Sequence, residues 1–159
     1  MTANARLQRR ARTLDDPRFE RLRNPRARRR LVAAMVGLLA VELALCAALD
    51  VAPWPAAAGL GAVLLVFVVL FGALKAATRG VEELPEHVLD ERQAQLRGRV
   101  YARAHRIGAA LVITGAALTM LWLSADLPVP GRGLVLGLLL LAAHTALVLP
   151  TLVAAGEDV

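Results

Sequence analysis

Four apolar runs, at about 31–50, 56–75, 107–125 and 133–154, dictate what this chain can become. Each is long enough to cross a hydrocarbon layer of roughly 30 Å as a helix, which takes about 20 mostly apolar residues. With 57% of 159 residues apolar, the runs leave almost nothing for a separate water-soluble core, which would need polar faces alternating with apolar ones. The expected fold is all-α and integral to a membrane, with four transmembrane helices forming two antiparallel hairpins. The expected organisation is a basic N-terminal segment (1–30), a first hairpin (31–75), a connecting helix (76–106), a second hairpin (107–154) and a short tail (155–159).

A net charge of +6 fits nucleic acid, a membrane surface or topology equally well, so placement has to decide. Eleven of the nineteen basic residues precede Leu31, seven lie between Lys75 and Arg106, and only Arg132 falls in either of the other two connections. That is the positive-inside pattern, and it puts both termini and the middle connection in the cytoplasm of a bacterial plasma membrane. The cluster Arg26, Arg28, Arg29 and Arg30 lacks the aromatic interleaving of a nucleic-acid site and reads as a topology anchor facing anionic inner-leaflet headgroups. The excess of Arg over Lys, with abundant Ala, Leu, Gly and Val, looks like GC-rich coding and carries no function. The lone Cys46 excludes an internal disulfide and reads as a small core residue. A lipoprotein-type site around it is disfavoured by Leu45, where such sites want a small residue, and by the long basic leader.

Along the chain, residues 1–12 have charge without apolar periodicity and are expected to be a disordered tail. Asp16-Pro17 and Asn24-Pro25 are two helix starts, each a capping residue followed by proline at the first helical position. The first opens a short segment with Phe19 and Leu22 on one face, either an interfacial turn or a linker. The connections 50–55 (DVAPWP) and 126–133 (DLPVPGRG) are turn-rich, and Trp54, Trp122 and Tyr101 stand where interfacial anchors belong. Gly59, Gly61, Ala62, Gly72 and Ala73 would let the second span approach a neighbour closely. Lys75 ends that span, Gly80 stops the helix, and Pro85 starts the next. Pro150 is expected to kink the fourth span.

The segment 89–107 (LDERQAQLRGRVYARAHRI) is the expected cytosolic hub. Leu89, Leu96, Val100, Ala104 and Ile107 recur at helical spacing, with acids first and arginines last on the other face, an order that complements the helix dipole. LDERQ followed by L-R-x-R-x-Y and A-x-R-I resembles a motif of small four-span membrane proteins, mainly of actinobacteria. The resemblance implies the four-span plan and supplies no activity. Where that family often has an aromatic before the final Arg, this chain has His105. Two readings stand for the segment. In one, Tyr101 anchors and the arginines, including Arg97, Arg99, Arg103 and Arg106, neutralise lipid headgroups. In the other, Asp90, Glu91 and Arg92, with Arg97 and Arg99, dock a protein partner. No phosphate loop, metal-ligand spacing or nucleophile elbow is present, so neither cofactor, metal nor enzymatic activity is expected.

Two titratable side chains sit deep in the apolar runs, Glu42 on the first and His144 on the fourth. Each lies about eleven residues, or roughly 16 Å at 1.5 Å per residue, from the start of its run. Because the runs point in opposite directions, the two are expected at one level near the midplane, joined by a direct or water-bridged hydrogen bond. Intramembrane ionisable groups face the bundle interior and pair with something. The bond is either a neutral clasp or a proton-binding site for transport or pH sensing. The function expected is that of a small accessory or regulatory protein acting through partner binding or self-association, the alternative being an oligomeric proton-coupled transporter or channel component.

Overall fold

The computed structural model describes residues 17–78, 91–125 and 127–157. Among these residues the chain is all helical, and four helices are long and apolar enough to cross a membrane. They are α1 (Pro25–Ala48), α2 (Pro53–Ala77), α3 (Glu91–Ser124) and α4 (Arg132–Gly156), and a 3₁₀ segment, Pro17–Leu22, precedes α1. The expectations for the tail 1–12, the Asp16 cap, the Phe19 side chain, Gly80, Pro85, Leu89, Asp90 and Asp126 lie outside the described residues.

The helices begin before their apolar runs because capping chemistry, not hydropathy, sets the ends. Asn24 accepts a hydrogen bond from the Arg26 amide at 3.0 Å, and Pro25 occupies the first position, so the arginine cluster lies inside α1. Pro53 starts α2, where its missing N–H removes no helical bond. The helix outlasts Lys75 and closes on Thr78, whose hydroxyl donates towards the Leu74 and Lys75 carbonyls at 3.2 and 3.3 Å. From Glu91 onward, the connecting segment and the third apolar run are one uninterrupted 34-residue helix, α3. Likewise α4 continues through Pro150 to Gly156.

Helix α1 is central, packing on both α2 and α4, while α2 also touches α4 and α3 rests on α4. Met35 and Leu39 of α1, Phe67 and Leu74 of α2 and Val148 and Ala155 of α4 form the main buried cluster. The α1–α4 approach is closest around Cys46. A side chain on Gly133 would run into the Cys46 carbonyl oxygen, and a Cβ on Gly137 would sit 2.7 Å from the Cys46 Cβ. Glycines one turn apart on α4 thus let the two backbones meet.

Leu96, Val100 and Ala104 of α3 bury against Leu149, Val153 and Ala154 of α4, as their periodicity predicts. Ile107, placed on that stripe by its sequence spacing, is instead exposed. The contact row steps by four residues, so Gly108 takes the place and lies against Leu149. Beyond it the two helices part, and every residue in 109–125 is exposed.

Candidate functional site

Three polar contacts tie α1 to α4 along their length, with residue numbers rising on one helix as they fall on the other. At one end the Arg28 guanidinium donates to the Glu157 carbonyl at 2.8 Å. In the middle, Nδ1 of His144 lies 2.7 Å from Glu42 Oε1 and 3.0 Å from Oε2. At the other end the Asp50 carboxylate accepts from the Gly133 amide at 3.2–3.3 Å. Asp50, in the turn just past α1, supplies the cap that Gly131, at the α4 N-terminus, cannot supply itself.

The middle contact brings together the two side chains that the sequence singles out. The Glu42 side chain is 4% exposed and the His144 side chain 21%. The imidazole also lies against Phe67 of α2, with ring centroids 4.5 Å apart, and Phe67 stacks on Phe71 at 5.8 Å. Lys75 Nζ then sits 4.0 Å over the Phe71 ring. Phe67 of α2 therefore packs against the imidazole, with Phe71 and Lys75 following it along the same helix. Beside the pair is a cavity of about 280 Å³, whose lining includes Leu60, Gly61, Leu64 and Leu140. Chemically the site can share one proton between carboxylate and imidazole and present the rest of the imidazole to an apolar space.

The proposed docking residues are less unified. Glu91, Arg92 and Arg99 are exposed on α3, whereas Arg97 is half-buried and its guanidinium lies 5.6 Å over the Tyr101 ring. Arg103, which the charge pattern assigns to headgroups, pairs with Glu157 at 2.9 Å. Glu157 thereby joins the end of α4 to α1 through its backbone and to α3 through its side chain. Trp54 is 85% exposed at the start of α2, Tyr101 is exposed, and Trp122 donates to the Pro128 carbonyl at 3.1 Å. Between the 3₁₀ segment and α1, Arg21, Arg26 and Arg30 surround an open recess of about 540 Å³ floored by Leu22 and Leu31.

Sequence reasoning missed the two end contacts and the Gly133–Gly137 approach. The G-x-x-x-G spacing at 133–137 carried a signal for the approach. Arg28 carried none, being one of several arginines in a basic cluster. No protein-family model, curated protein or solved structure matches the chain.

Proposed function

We propose that this chain is a small, non-enzymatic accessory or regulatory protein of a bacterial plasma membrane that acts by associating with a second copy of itself. Its four helices span the bilayer as two antiparallel hairpins, with both termini and the start of α3 on the cytoplasmic side. The observation that carries the reading is the uncovered stretch 109–125 of α3. The face that packs on α4 through Ala104 and Gly108 continues along Gly115 and Thr119, small residues that permit close helix approach. The Thr119 hydroxyl donates to the Gly115 carbonyl at 2.9 Å, so a partner helix would strand no polar group there. One such face on each copy suits a two-fold, isologous contact. The arginine-rimmed recess suits anionic headgroups of the inner leaflet and fixes the chain's depth.

The test is crosslinking in native membranes with Cys46 replaced by Ala and a single cysteine introduced at Leu118 or, for comparison, at the likewise exposed Val69 of α2. Dimers are expected from the Leu118 position and not from Val69. Equal yields at both, or none at Leu118, would contradict the reading.

A second reading, a proton-coupled transporter or channel component built on Glu42 and His144, is favoured by the imidazole's residual exposure to the cavity. Other titratable groups on the helices that meet the pair include Cys46, one turn along α1, and Lys75, beyond Phe71 on α2. A pH-dependent flux abolished by Glu42→Gln in a folded protein would establish it, and flux unaffected by that change would dismiss it.

A further inference from the structure

The cavity beside Glu42 and His144 has a definite chemical character. Its walls are apolar, from Leu60, Leu64, Phe67 and Leu140, and its polar groups are the pair itself. Gly61 and Leu64 are exposed, and a Cβ on Gly61 would meet nothing within 4 Å, so the space opens sideways past Gly61. On the membrane reading above, on which this inference rests, that side faces hydrocarbon. Entry is then from lipid rather than from water. An apolar cavity of roughly 150 Å³ admits benzene, so about 280 Å³ holds a substituted six-membered ring.

The proton count on the pair decides what the ring must carry. Nδ1 of His144 faces the carboxylate and both carboxylate oxygens face Nδ1. A neutral imidazole donating from Nδ1 to a carboxylate would leave a net negative charge, which is costly deep in hydrocarbon. The two neutral arrangements are imidazolium with carboxylate, and imidazole with carboxylic acid. In both of them Nε2 carries a hydrogen. Among the described residues nothing accepts from Nε2. The pair beside the cavity thus has one N–H donor without an acceptor among the described residues, and no net charge.

We propose that this cavity binds the ring of a lipid-dissolved quinone, with one carbonyl oxygen accepting the hydrogen bond from His144 Nε2. A quinone is uncharged, resides in hydrocarbon, fits as a single ring and carries acceptors without donors. A fatty acid, by contrast, brings a charge.

The test uses purified protein in micelles, with empty micelles as the partition control, and measures saturable binding of duroquinone and of durene, the same methylated ring without oxygens. Duroquinone is expected to bind at one site and durene on the order of five-fold more weakly, the worth of about one hydrogen bond. Gly61→Leu, which fills the cavity and leaves Glu42 and His144 in place, is expected to weaken duroquinone binding at least ten-fold. His144→Phe should remove the preference for duroquinone over durene. Absence of saturable binding to the folded protein, equal binding of the two rings, or binding unchanged in Gly61→Leu would each overturn the proposal. Because the assay uses isolated protein, it fails or succeeds independently of dimer crosslinking and of which side of a membrane the termini occupy.

Discussion

Replacing His144 with Phe removes the partner of a carboxyl group that is only 4% exposed. Among the described residues Glu42 has no second hydrogen-bonding partner to fall back on. A buried polar group stranded in this way costs about 1–3 kcal/mol, or roughly five- to 150-fold in the folding equilibrium. The double change Glu42→Leu with His144→Phe removes both halves of the contact and keeps the volume apolar. It is expected to lie within about 1 kcal/mol of the parent, since deleting both partners of a buried pair is often neutral. Glu42→Gln keeps a group able to bond Nδ1 and should cost less than ~0.6 kcal/mol, the average worth of a whole interhelical hydrogen bond in membranes. The assay is loss of helical circular dichroism on titrating denaturing detergent into mixed micelles. A double variant as unstable as the sum of its two single changes would refute the argument, because the two side chains would then be independent.

Gly137→Ala should destabilise strongly, its Cβ meeting Cys46 at 2.7 Å, whereas Gly61→Ala should be neutral or gain up to ~1 kcal/mol; the same detergent titration compares them. Asp50→Ala removes the cap on α4 and should cost about 1 kcal/mol, with Asp50→Asn costing less; hydrogen exchange of the Gly133 amide would locate the effect. Replacing Asp90, Glu91 and Arg92 together with Ala should leave membrane insertion and folding intact, as fractionation and circular dichroism would show; loss of the folded protein would mean these side chains hold the fold rather than dock a partner.

Much of the fold was legible because hydrophobic length is a one-dimensional signal. Four runs long enough to span a bilayer gave four helices, and Asn24-Pro25 gave the start of the first. Glu42 and His144 could be paired because each was the one acid or base deep in its run, and antiparallel helices put equal depths side by side. What stayed illegible depended on rotation about helix axes. Ile107 and Gly108 are neighbours in sequence, and only the angle at which α3 meets α4 decides which faces Leu149. Arg28 differs from Arg29 and Arg30 in nothing but the direction it points, towards the end of α4. Which helices would part, leaving 109–125 uncovered, has no sequence marker either, since a helix facing lipid and one facing another helix can share a composition.

The measurement that tests the account most directly is labelling of intact cells with a membrane-impermeant maleimide, in a Cys46→Ala background carrying one new cysteine at a time. Val51 and Val129 are 88% and 91% exposed in the two short connections, and Gly98 is exposed on the basic part of α3. Four spans with a cytoplasmic α3 start predict labelling at positions 51 and 129 in intact cells, and at position 98 only after the cells are opened. Labelling of position 98 in intact cells, or protection of 51 and 129, would contradict the topology on which the account rests.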